Sequence, residues 1–460
     1  MIATIITIHL FFATVYLVIK EPEVVFRNKR VVLDYARVSL GVLGLLIASG
    51  IASLTTIKTA IMPQMNIVPW QILIIFFGSA YICGSLDASG VLKLIAYRFA
   101  SVSKTGKKLF VNLVLIAGVL TIFTSNDIVT LTLTPIIVYI SQYAGINPIP
   151  YLISVFFASN TWSMFFYIGN PTNVIVAQAY SLKFNQYTKL MFLPTIVAII
   201  TSFFGFYFKY RNVLPKEINV VLGPRNTEKG GVELQDSIKD KRYAFLSSGF
   251  FVLFFITIAI GDLIGLQLWK AILIFSGIYL LLNTAFSDVL SERDEVVVEV
   301  GRFDYNLTFL VDTLRRVPWK MLPMVLTFFV FVHIFTRFGI TKYVGSLFNF
   351  KNELVGTVLT TFITAFAANV MINQPMTIFF AQALHKKPIN YAMSLVVGSN
   401  IGGNITLIGA LAGIMWSRIL KLYGIEMNNK IFVKETFFVA VLTLFTTSIA
   451  IYLVYALSRS

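Results

Sequence analysis

Apolar stretches long enough to cross a bilayer recur along this chain and limit what it can fold into. Residues 2–19, 38–54, 68–83, 190–208, 245–260 and 432–457 are nearly free of charge. A bilayer core takes roughly 20 apolar residues per helical crossing. One large soluble core would require polar outer faces on these helices, and they have none. Composition agrees, with 57% of residues apolar and 13% charged, against roughly 25% charged in soluble domains. The fold expected is an all-α polytopic membrane protein of the cell (inner) membrane, surrounded by lipid bilayer. It has about 10 transmembrane helices plus two re-entrant hairpins, in two inverted-topology repeats.

A net charge of +16 suits nucleic acid, but its distribution explains it better as topology and excludes a nucleic-acid partner. Of the 37 Lys and Arg, 27 fall in residues 20–37, 93–108, 209–242, 293–320 and 418–434. The positive-inside rule places these five loops in the cytoplasm and both termini outside. The first apolar run does not read as a cleaved signal peptide, because its first basic residue, Lys20, follows it. Cys83 is the only cysteine and excludes an intrachain disulfide or a cysteine-built metal site. His9, His333 and His385 lack metal-ligand spacing, so no metal site is expected. The expected segments are N-terminal helices (1–60), a first repeat (61–210), a cytoplasmic linker with Gly230 and Gly231 (211–243), connecting helices with a cytoplasmic loop (244–317) and a second repeat (318–460).

The repeat shows in paired motifs. Ser159-Asn160 is followed eight residues later by Ile168-Gly169, and Ser399-Asn400 likewise by Ile408-Gly409, an offset of 240. Upstream of each stands another polar break, Ser125-Asn126-Asp127 and Ala368-Asn369. Trp70 and Trp319 open the corresponding apolar runs, the first directed inward and the second outward. Inverted halves with broken helices at the midplane characterise secondary transporters. Residues 110–124 and 128–141 read as a re-entrant hairpin with its tip at 125–127; two short tilted spans fit the same loop parity. The matching hairpin is 354–384, tip near 369–375. Residues 168–173 and 402–409, rich in Gly, Pro and Asn, interrupt two crossings.

Unwound backbone at membrane depth survives where protein or a water-filled cavity satisfies it, and helix amino termini favour anions. The candidate site is therefore Ser125, Asn126, Asp127, Asn160, Gly169, Asn170, Thr172, Asn173, Asn369, Asn373, Asn400, Asn404, Thr406 and Gly409. The bland reading of these side chains is interhelical glue. Asp127 is the acid at the tips: it either carries a coupling proton or sodium ion, or caps the second hairpin helix. Asp87 and Asp262 read as structural or solvated, and His333 as packed. No Walker-type, His-Glu-x-x-His or Gly-x-Ser-x-Gly element occurs, so enzymatic chemistry is not expected. A channel and an intramembrane enzyme using Asp127 almost alone are the remaining alternative classes; a channel would show ohmic, gradient-insensitive conductance.

Several stretches carry a resemblance. Ser85-Leu-Asp-Ala-Ser-Gly90, Ser125-Asn-Asp-Ile-Val-Thr-Leu-Thr-Leu-Thr-Pro135, Gly169-Asn-Pro-Thr-Asn-Val-Ile-Val-Ala177 with Phe184-Asn-Gln-Tyr187, Asn373-Gln-Pro375 and Ile405-Thr-Leu-Ile-Gly-Ala-Leu-Ala-Gly-Ile-Met-Trp416 occur in that order. Together they resemble the arsenical pump membrane protein (ArsB)/NhaD-type permease family of the ion transporter superfamily. The resemblance spans residues 70–425 and implies a scaffold-plus-transport-domain fold, a homodimer, and arsenite or antimonite efflux by proton exchange. It also leaves room for a cytoplasmic ATPase partner. The chain departs from the family pattern at Asn400, where an acid is usual, and at Asn404, where a lysine is usual.

Cys83 alone cannot form a three-thiolate arsenic site, so such a solute would be held in its hydroxylated form by hydroxyls and amides. The same neutral groups suit another small inorganic or carboxylate solute, such as citrate or a dicarboxylate, moved with sodium or protons. Sodium/proton antiport is the third reading. No cofactor beyond the coupling ion is expected.

Overall fold

The computed structural model describes residues 2–26, 29–63, 67–218, 238, 240–291 and 309–459. The expected connector at Gly230 and Gly231, and most of the expected cytoplasmic loop after residue 291, lie outside the described residues.

Helix starts follow the local polar residues. Asp34, Thr105, Ser125, Asn170, Asp240, Asn352 and Asn428 each cap a helix by accepting from a first-turn N–H, which satisfies donors that the helix itself leaves open. Among the described residues, 10 helices are long and apolar enough to cross a membrane. They are Ile2–Lys20, Pro69–Ala88, Gly106–Phe123, Asn126–Ala144, Phe184–Tyr210, Lys241–Gly261, Leu268–Ser287, Phe309–Arg337 (interrupted between Phe309–Arg316 and Met321–Arg337), Glu353–Met371 and Asn429–Leu457. Side chains such as Phe245 and Phe438 stand 79% and 77% exposed, as lipid-facing residues do. The chain is a multi-pass membrane protein.

Three local results differ from expectation. The run at 38–54 forms only Tyr35–Ala48, 14 residues, because Gly50 takes φ +71° and Ser53 starts a new helix, Leu54–Ile61. The first hairpin's arms, Gly106–Phe123 and Asn126–Ala144, are 18 and 19 residues rather than about 14 or 15. Each is therefore about 27–28 Å long, enough for a crossing by length. They are longer because helical backbone continues through polar residues as far as the Thr105 cap and Gly145, at φ +64°. Finally, a two-stranded antiparallel ribbon, Glu23–Phe26 with Lys29–Val32, joins otherwise helical structure.

The chain divides into two compact units. The first comprises Met1–Leu73, Asn160–Phe206 and Trp319–Ser460; the second comprises Ile74–Ser159 and Tyr207–Pro318. In the first, Phe11 packs edge-on against Phe328 and Phe331 with ring centroids 5.5 Å apart. Helix Glu353–Met371 lies tightly along Ile389–Gly402, where a Cβ on Gly402 would meet the Ala365 backbone at 2.5 Å. In the second unit, Asn283 ties three helices together, donating to Tyr81 and Ser85 at 2.9 and 3.0 Å and accepting from the Tyr243 hydroxyl at 2.5 Å. Such buried networks hold one arrangement because any unpaired member is costly.

Candidate functional site

All four expected breaks are present. The first tip falls between Phe123 and Asn126, and the second at Ile372, between Glu353–Met371 and Asn373–Leu384. Helix Ile149–Trp162 stops before a 3-10 turn, Tyr167–Gly169, and resumes as Pro171–Ala179. Ile389–Gly402 likewise stops before Leu411–Leu422. The same order of elements thus occurs twice along the chain.

The first unit holds 11 of the candidate residues, all except the first tip. Asn400 is the centre. Its carbonyl oxygen accepts from Asn170 at 2.8 Å and from the Ser163 hydroxyl at 3.1 Å, and its amide donates to Asn173 at 2.7 Å. Asn173 in turn donates to the Ser163 carbonyl at 2.9 Å, and Asn160 donates to Asn404 at 2.8 Å. The Ser399 hydroxyl donates to Thr172 at 3.2 Å. Gly169 is needed because a Cβ there would meet the Ser163 carbonyl oxygen at 2.5 Å. The two broken helices are therefore clasped by neutral amides and hydroxyls, nearly all of them buried.

The second tip is tied to the other break. Asn369 donates to the Gly402 carbonyl at 2.8 Å and accepts from Thr406 at 2.6 Å, while the Asn373 N–H donates to the Gly409 carbonyl at 3.0 Å. Ile372 is fully buried at φ +63°, ψ 145°, a region that costs a branched residue of order 1–3 kcal/mol and persists only where its surroundings impose it. Beyond it, Asn373 Oδ1 and Gln374 Oε1 are buried and meet no donor among the described residues. Two orphaned carbonyl oxygens can take a cation or a hydroxyl donor.

The first tip belongs to the second unit. Ser125, not Asp127, is the cap, accepting from the Ile128 N–H at a long 3.5 Å. Asp127 sits two positions after that cap, in the first turn, where the helix dipole favours its charge. The plain capping role for Asp127 is thereby corrected.

Sequence reasoning passed over Ser163, Ser399 and Gln374, each inside a motif already singled out. Helix breaks were the available signal; that hydroxyls next to them join the clasp depends on pairing across more than 220 positions. Asp87, expected to be structural or solvated, is 3% exposed and paired.

A helical membrane protein with paired interrupted helices lined by neutral polar groups has the build of a secondary transporter. Comparison with known proteins agrees. The chain belongs to the citrate transporter (CitMHS) family, whose model matches residues 15–386. It is 25% identical to the arsenical pump membrane protein of Escherichia coli K12 over 370 residues, covering 77% of this chain and 79% of that one. The arsenical pump membrane protein of Yersinia enterocolitica is also 25% identical, over 373 residues, with the same coverage. The crystal structure of the Alcanivorax borkumensis YdaH transporter is similar in fold, with a TM-score of 0.52 over 99% of this chain and 98% of that one, at 12% identity. The chain is a secondary transporter of the CitMHS/ArsB family.

Proposed function

We propose that the protein exports arsenite or antimonite across the inner membrane in exchange for protons. The observation behind this reading is the clasp around Asn400, built throughout of amides and hydroxyls. Such groups can trade their mutual hydrogen bonds for those of an uncharged hydroxylated solute, whereas a di- or tricarboxylate would bring charge with no cationic partner. The names of the arsenical pump relatives point the same way. Asp127, in the first turn after the tip, is the residue assigned to carry the coupling proton. A homodimer and a cytoplasmic ATPase partner belong to the same proposal.

A second reading, sodium-coupled movement of a small carboxylate, is favoured by the orphaned Asn373 and Gln374 oxygens, which suit a cation, and by the description of the family. Uptake into everted vesicles separates the two. An inward-acid pH gradient is expected to drive arsenite accumulation, and Asp127→Asn to lower the gradient-driven flux at least about tenfold, the size of effect of losing a general proton carrier. Undiminished flux in Asp127→Asn removes its coupling role. Sodium-driven citrate uptake without arsenite uptake selects the second reading.

A further inference from the structure

Asp87 stands in the last turn of Pro69–Ala88, and its two carboxylate oxygens face different elements. Oδ1 accepts from the Thr132 hydroxyl at 2.9 Å, and Oδ2 pairs with the Arg316 guanidinium. Thr132 lies on Asn126–Ala144, five positions after Asp127; Arg316 ends the helix Phe309–Arg316. All belong to the second unit. The Arg316 helix is itself held down: Phe309 stacks on Tyr243 at 3.8 Å, and the Leu310 N–H donates to Ser287 at 3.1 Å.

For stability alone this arrangement has little to recommend it, since a buried ion pair does no better than apolar residues of similar volume. What it supplies is a fixed geometry, through charge-assisted bonds of defined direction. The Asn126–Ala144 helix has a reason to need it. Pro135 within that helix has no N–H to give the Leu131 carbonyl, so the helix is loosened between residues 131 and 135. The first turns, bearing Ser125 and Asp127, lie on the far side of that weak point. Thr132 is where an outside group can hold them, about 7.5 Å along the axis from Asp127.

We propose that Asp87 is a positioning residue for transport: through Thr132 it sets the placement of the Ser125–Asp127 tip against the anchored Phe309–Arg316 helix. The role rests on the transport reading above, so its test includes a readout that needs no solute. Wild type, Thr132→Val, Thr132→Ser, Asp87→Ala and the Asp87→Ala/Thr132→Val double variant are compared in proteoliposomes at equal reconstituted amounts. With arsenite and citrate as probes, Thr132→Val is expected to reduce turnover about tenfold with KM changed less than about twofold, as misplacement of a functional group does. Thr132→Ser restores turnover, and the double variant is no worse than Asp87→Ala, because Asp87→Ala already removes the acceptor of the bond that Thr132→Val breaks. In hydrogen exchange on the protein in nanodiscs, Thr132→Val speeds exchange of the 128–131 amides and leaves 136–144 unchanged. Thr132→Val keeps the Asp87–Arg316 pair, so it decides the matter even if Asp87→Ala aggregates. Wild-type turnover in Thr132→Val, multiplicative losses in the double variant, or unaltered exchange at 128–131 each overturns the proposal. If wild type moves neither probe under any gradient, the transport reading fails on its own and the exchange result still judges the clamp.

Discussion

Asn400 shows how much one neutral side chain can organise inside a membrane. It joins Ser163, Asn170 and Asn173, which lie 227 to 237 positions away. Asn400→Leu fills similar space but strands the Asn170 amide and the Asn173 carbonyl, at about 1–3 kcal/mol for each buried group left unsatisfied, while the Ser163 hydroxyl keeps its 2.8 Å bond to the Asn160 carbonyl. Asn400→Leu is expected to lower the melting temperature in detergent clearly more than Asn400→Asp, which keeps the acceptor and loses the donor. Equal melting temperatures for the two would show that the clasp carries no such weight. That these asparagines matter was legible from sequence, because a run of amides in apolar sequence is too costly to be incidental. Their mutual saturation was not legible, since an amide's partner depends on which helices meet.

Among elements, the two capped starts at the breaks differ in how firmly they are held. Ser125 accepts a single long bond of 3.5 Å, whereas Asn170 both caps Pro171–Ala179, accepting from Thr172 at 3.2 Å, and donates to Asn400. Ser125→Ala should therefore cost at most about 0.5 kcal/mol, the low end for a lost cap. Asn170→Ala should cost about 2 kcal/mol or more, as cap and buried donor are lost together. Unfolding titrations in mixed micelles give the comparison, and a larger loss in Ser125→Ala would reverse the ranking. Break positions were readable from Gly, Pro and Asn clusters. Arm lengths were read short, because apolarity fades toward the polar helix ends while the hydrogen-bonded backbone continues to its cap.

At the scale of the whole molecule, distant segments are joined by charge at the helix ends. Asp34 starts Tyr35–Ala48 and pairs with Lys320, just before Met321–Arg337, at 2.9 Å. Burial pushes the Asp34 carboxyl upward, but the Lys320 ammonium and the Arg37 N–H outweigh it and hold the carboxyl below its usual value of 3.8. A carboxyl depressed in the folded state stabilises above its unfolded pKa and loses that contribution as pH falls through the folded one. The melting-temperature gap between wild type and Asp34→Asn is therefore expected to be widest near neutral pH and to close as pH falls below about 4. It should be small throughout, because Lys320 is 65% exposed and screened by solvent. A gap that stays constant with pH would assign the loss to capping alone. The amino-acid sequence by itself determined that this chain is a helical membrane protein with four polar interruptions, because the bilayer permits only long apolar helices and penalises every exception. Only the tertiary structure decided which interruptions share a unit, that Asn400 closes a neutral clasp, and that Asp87 is buried between Thr132 and Arg316. Those facts depend on which helices touch, and hydrophobicity, being the same on every lipid-facing or buried turn, does not encode it.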